Sequence, residues 1–414
     1  ARLLVAVGEA RRRVASGPAR RAFAEGLRLA QQQGDAVLAA RAALGLAVLG
    51  EGSVNRGLGP AAQKVVDALA AAERALPPDQ PDLHAELLAR LALERSWDPD
   101  PAVALGLLER ARALVRPQTP ALTRRVVEQA EIRVDAEPAR TAERLILAGR
   151  LLDDARSAHD RAGEVAAIAT RLPLLGELGR FESMREELAV ARTLAAQLGD
   201  PRFLRWAGEA DAMLATMAGD WERAERLRSA ALREGGDQPV PSEPFALEQL
   251  VHRLTRRPHI AAADVPALAE IAERRPDLVA VRVGAALLYA SDDEPAAAAA
   301  LLATLPDDAD GLAGLDRSNG LALFTWTALA AVMWLLGDSA RAAPLRTLLE
   351  PYAERHAVIF LPGYFGPVAE ALGLLELLLG RRAEGEARLE QARAAALAAG
   401  APAVAQRIEA VAAV

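Results

Sequence analysis

Ala218-Gly219-Asp220-Trp221-Glu222-Arg223-Ala224-Glu225 decides the reading of this 414-residue chain. Gly219 can take the left-handed backbone conformation that ends a helix, and Asp220 carries the short carboxylate that caps the next one. Upstream, Asp200-Pro201 opens a helix with Asp as cap and Pro in the first turn. That helix runs through Phe203, Leu204, Trp206, Ala210, Met213, Leu214 and Met217, apolar at every third or fourth residue. Downstream, Trp221, Ala224 and Leu227 give the partner helix an apolar stripe, with Ala224 small enough for close approach. The stretch is one helical hairpin.

The phrase recurs. Gly179-Arg180-Phe181, Gly337-Asp338-Ser339 and Gly380-Arg381-Arg382 mark further hairpin turns, and Gln33-Gly34-Asp35, Leu198-Gly199-Asp200 and Ala399-Gly400-Ala401 mark the opposite ends. Gly179 to Gly219 is 40 residues and Gly337 to Gly380 is 43. Spacings of that size predict helix-pair repeats somewhat longer than the 34-residue tetratricopeptide unit. The expected fold is all-α, a superhelical, tetratricopeptide-like solenoid of antiparallel helix pairs. Gly235 to Pro244 holds two glycines and three prolines, and divides the array into residues 1–234 and 245–414 with a 235–244 linker. Pro344 predicts that its helix either starts there or kinks.

Composition agrees with helix throughout. Hydrophobic residues make up 52% and aromatics only 4%, Ala supplying much of the former. There is no cysteine, which removes disulfides, zinc thiolates and Cys nucleophiles together and fits a reducing, cytoplasmic setting. Net charge is -7, from 49 basic and 56 acidic residues interleaved along the chain, so the basic stripe of a nucleic-acid-binding surface is missing. The longest uncharged run, Leu321 to Leu336, is too short to span a bilayer and reads as a buried helix. No signal peptide is legible, and the apolar helical pattern at Leu3, Leu4 and Val7 suggests a piece of a longer protein.

Catalytic motifs are not found. The single lysine, Lys64, lies in Gly59-Pro60-Ala61-Ala62-Gln63-Lys64-Val65, which lacks the second glycine and the hydroxyl of a phosphate-binding loop. His84, His159, His252, His259 and His356 have no metal-binding spacing and read as surface or capping residues. Asp153-Asp154, Asp292-Asp293-Glu294 and Asp307-Asp308-Ala309-Asp310 could serve a metal-dependent all-α enzyme, but lack the third carboxylate or sit beside prolines as caps. No catalytic residue, metal or cofactor is expected. Aromatics cluster late, at Phe324, Trp326, Trp334, Tyr352, Phe360, Tyr364 and Phe365. They predict a core for the last repeats, or a ligand pocket walled by Trp326, Tyr352 and Tyr364. The apolar stretch Phe360 to Pro367 must be buried or must cover something.

At its hairpin phrases the chain resembles the C-terminal tetratricopeptide-like region of large actinobacterial ATP-binding regulators of the LuxR type and their cyclase-linked relatives. The likeness lies in Leu3 to Ala10, Ala22-Phe23-Ala24-Glu25, Ala30 to Asp35, Ala218 to Leu227, Leu336-Gly337-Asp338, Leu349 to Ala353 and Gly366 to Ala369. In those proteins a nucleotide-binding module precedes the array and a helix-turn-helix often follows. Neither is legible here. The resemblance implies a sensor arm that accepts a small effector or protein partner and biases the ATPase, without itself binding nucleic acid or membrane, with a homo-oligomer among its expected partners. The alternative is a stand-alone scaffold docking partner peptides or proteins.

Overall fold

The computed structural model describes residues 1–11, 16–48, 60–96, 98, 100–234, 278–317, 320–359 and 363–412, with the isolated positions 254, 270, 272 and 273. Twenty α-helices and a single two-stranded hairpin account for the regular structure among them. The chain forms two compact units, Ala1–Ala136 and Glu137–Val414. The 235–244 stretch lies outside the described residues. The division between units falls elsewhere, at Ala136.

The first unit is a row of seven helices: α1 (Arg2–Arg11), α2 (Ser16–Gln32), α3 (Ala36–Val48), α4 (Pro60–Ala75), α5 (Pro81–Glu94), α6 (Pro101–Leu114) and α7 (Ala121–Val134). Each packs on the next and several on the next but one, the contact pattern of stacked helix pairs. Alanine and leucine fill its core, and α1, α2 and α3 close around the fully buried Phe23. Its ring occupies space that a methyl would need: a Cβ on Gly8 or Gly45 would stand 2.8 or 2.3 Å from it.

The second unit begins with α8 (Thr141–Ser157), α9 (Arg161–Glu177), α10 (Phe181–Leu198), α11 (Pro201–Ala218) and α12 (Trp221–Glu234). Its junctions follow the phrase read from sequence. Gly219 has φ 78°, which lets the Asp220 amide reach back to the Ala215 carbonyl at 3.0 Å, while Asp220 Oδ1 accepts from the Arg223 amide at 3.1 Å. The same pair of bonds occurs at Gly34-Asp35 and at Gly337-Asp338, where Asp338 caps with the amide two residues on. Asp200 also caps with the amide two residues on, after a helix that closes through the Gly199 amide and the Ala195 carbonyl. The α8–α9 junction uses no glycine: His159 takes φ 51° and Asp160 caps α9 through Gly163. The left-handed residues 159, 179, 199 and 219 thus stand at equal steps of twenty, one helix and one turn each.

The rest of the unit comprises helices Val279–Ser291, Pro295–Leu302, Ala309–Gly314, Ala322–Leu336, Ala342–Leu349, Val368–Leu378, Arg382–Ala398 and Pro402–Ala412. Ala322–Leu336 is buried along most of its length, as its uncharged sequence requires. Among the described residues no helix is long and apolar enough to cross a membrane. Pro344 sits in the first turn of its helix, so the helix starts there.

Helix throughout was expected, and one segment departs from it. Strand β1 (His356–Ile359) pairs antiparallel with β2 (Gly363–Pro367), and both are wholly buried. Val358, Ile359, Tyr364 and Phe365 favour extended backbone, and a bulge after Ala357 leaves Phe365 unpaired and free to pack on Phe324. The apolar stretch predicted to be buried or covering is therefore buried from Gly363 onward, while 360–362 lie outside the described residues. β1 packs against α9 and β2 against α11, so the hairpin joins parts of the unit far apart in sequence.

Candidate functional site

The three aromatics singled out as pocket walls fall into two clusters. Trp326 is buried, donates its indole N–H to the Leu312 carbonyl at 2.8 Å, and stacks on Tyr352 with ring centroids 6.1 Å apart. Tyr352 closes a short 3-10 turn, Glu350–Tyr352, and is half-buried. Tyr364 belongs with Phe181 and His356 instead: its hydroxyl lies 3.0 Å from His356 Nδ1, and Phe181 meets both rings edge-on at 5.5 and 4.9 Å. Phe181 is the aromatic of the Gly179-Arg180-Phe181 phrase, and Gly179 itself lies against the His356 imidazole.

His356 corrects an expectation. It was read as a surface or capping residue, yet it sits inside strand β1 at 5% exposure. Burial without a carboxylate partner pulls its pKa down to about 4, so the ring is neutral at ordinary pH. Tyr364 is shifted the other way, upward, by burial.

Around Tyr352 stands a cluster of charges that no sequence motif announced. Glu137 pairs with Arg317 at 2.7 Å on the exposed side. Beneath them Glu177, the last residue of α9 and half-buried, lies near Arg144 of α8 and Arg355. Burial pushes the Glu177 carboxyl above its usual range, against the opposing pull of Arg144, the Thr141 hydroxyl and Arg355. Burial likewise lowers Arg144, with Glu177 working against it. Tyr352 is raised by burial and by Glu137 and Glu177.

Thr141 Oγ1 lies 2.9 Å from the Pro138 carbonyl and 2.5 Å from Glu177 Oε1. A hydroxyl has one proton to give. With Glu177 ionised, Thr141 can serve one of these acceptors. With Glu177 protonated, the carboxyl donates to Thr141 and Thr141 to Pro138. The cluster therefore tolerates either state of the carboxyl.

A second buried pair ties the last helix to the hairpin. Arg407 Nε donates to Glu370 Oε1 at 3.0 Å and Nη2 to the Phe365 carbonyl at 2.9 Å, with the guanidinium over the Phe365 ring at 5.2 Å. Gly366, at φ 149°, makes room for it, since a Cβ there would stand 2.8 Å from Arg407 Nη2.

The acidic pairs do not converge on anything. Asp153, Asp154, Asp292, Asp293 and Glu294 are exposed, Asp308 caps a helix through Gly311, and Asp307 pairs with Arg341 at 2.7 Å. Among the described residues no three acidic or histidine side chains are grouped to hold a metal ion. A hollow of about 630 Å³ runs along one face of α12 between Trp221 and Arg233. In comparisons with known proteins, no family model matches this chain and no curated protein matches it.

Proposed function

We propose that this chain is a sensor or interaction domain of a transcriptional regulator, taking a small effector or a protein partner on its helix pairs and passing the event to an ATPase module. The observation that supports this best is the array itself. Repeated hairpins with capped, self-satisfied turns present side chains for contact, and binding is what stacked helix pairs commonly do. Its resemblance to the helical region of LuxR-type ATP-binding regulators supplies the regulatory half of the reading.

Within this reading Tyr352 is the contact residue, because it is the half-exposed member of the cluster, backed by Trp326 and flanked by Glu137 and Arg317. Tyr364 acts from behind, holding the hairpin in place. The test is a thermal-shift screen of small metabolites and peptides on the purified chain. A ligand at 100 times its Kd should stabilise by about 2.7 kcal/mol, and Tyr352→Ala should abolish the shift while leaving the unliganded melting curve near its original position. ATP turnover or DNA binding by the chain alone would overturn the proposal.

A further inference from the structure

Helix α12 buries Ala224, Arg228 and Ala231, the last of them against Gly208 of α11, and turns another face to solvent. On that face Glu222, Arg226, Ser229 and Arg233 recur at intervals of four, three and four residues, so they stand in one line along the helix. Ser229 is half-buried and the other three are exposed. Glu222 meets Arg226 only loosely, at 3.7 Å with both side chains in solvent, and Arg233 has no ion pair among the described residues. The hollow of about 630 Å³ follows this line from Trp221 to Arg233.

The line is self-complementary under a half-turn. Glu222 and Arg233 are eleven residues apart, close to three helical turns, with the acid at one end and the base at the other. Laid antiparallel on a second α12, each Glu222 falls opposite an Arg233 and each Arg226 opposite a Ser229, because both pairs share the midpoint between residues 227 and 228. The adjoining strip repeats the spacing with apolar groups. Trp221 and Leu232, both half-buried, are again eleven apart, and the same half-turn sets each tryptophan beside the leucine of the other copy. Sites for small ligands enclose most of their occupant, whereas this face is open along its length. It matches a rod of equal length and inverted charge order, which α12 itself supplies.

We propose that this face is a homodimer contact: two copies of the chain dock α12 against α12, antiparallel about a twofold axis, with reciprocal Glu222–Arg233 ion pairs. The 14-residue helix is about 21 Å long, so one helix pair buries an area at the low end of specific interfaces. The dimer is accordingly weak, with a Kd on the order of 10 µM, and sensitive to salt. Neither an effector nor an ATPase module is needed for it, so it stands or falls apart from the sensor reading.

Sedimentation equilibrium of the full chain, from about 1 to about 200 µM, tests the contact. A monomer–dimer equilibrium is expected, weakened by about tenfold between low and high salt. Glu222→Arg sets arginine against arginine in both reciprocal pairs, and Arg233→Glu sets glutamate against glutamate. Each variant alone should dimerise about tenfold or more weakly than the parent. Mixed in equal amounts, the two should dimerise again, because every arginine then meets a glutamate. Both positions are exposed, so the melting curves of the variants should match that of the parent. A chain that stays monomeric throughout, a dimer indifferent to both substitutions, or variants that remain apart when mixed would each overturn the proposal.

Discussion

The two units share one building block and use it differently. In Ala1–Ala136 every substantial contact is between helices one or two apart in the chain, and the core is alanine, leucine and valine with a single buried phenylalanine. In Glu137–Val414 the same capped hairpins are joined across long sequence separations, and the joints are made from buried charges, aromatics and a strand pair. Shape-filling suffices where neighbours stack. Distant segments need contacts that are specific in direction, and hydrogen-bonded polar groups supply that at a cost in desolvation.

That contrast can be broken experimentally. The largest effect is expected from Arg407→Met, which strands Glu370 in the interior and should destabilise the second unit by about 3–5 kcal/mol in denaturant unfolding. The double variant Arg407→Met/Glu370→Leu should recover most of that loss; no recovery would mean the pair is not the relevant joint. In the first unit the corresponding weak point is steric. Gly45→Ala places a methyl inside the Phe23 ring and should cost about 1–3 kcal/mol, with faster hydrogen exchange confined to α1–α3.

Acid should separate the units next. His356 titrates at about 4 when folded and near ~6.5 when unfolded, so its stabilisation is complete above the unfolded value and declines as the pH falls toward 4. At pH 5 the loss amounts to about 2 kcal/mol, and His356→Asn should show that much less decline between pH 7.5 and 5. Glu177, raised by burial, works in the opposite sense, favouring the fold at low pH and losing that contribution as pH rises. Comparing variant with parent removes its share. The smallest effect should come from Glu386→Gln, whose exposed pairing with Arg382 contributes less than about 0.5 kcal/mol by calorimetry.

The helix-pair architecture was legible because its signals are local. A glycine, an aspartate and a 3.6-residue apolar rhythm lie within one turn of each other, as at Gly219-Asp220-Trp221. Two junctions escaped because His159 and Asp293 hold the left-handed position without being glycine. The hairpin His356–Pro367 was hidden by an otherwise helical composition, and its β-branched run is only a few residues long. Glu177 and Arg144 left no trace at all. Nothing near Gly176-Glu177-Leu178 marks that carboxylate as part of a charge cluster, since Arg355 lies 178 positions further on. Tyr352 stands out in the sequence as an aromatic, while its nearness to Glu137 and Arg317 does not, for the same reason.

The equal steps at 159, 179, 199 and 219 also govern how this chain can change in length. One residue added inside α9 would turn everything beyond it by about 100° around the helix axis, carrying Glu177 away from Thr141 and Phe181 away from His356. Two helices and two turns added together return the chain to the same facing direction. Growth and loss in this part of the molecule are thus quantised: 40 residues can come or go where one cannot.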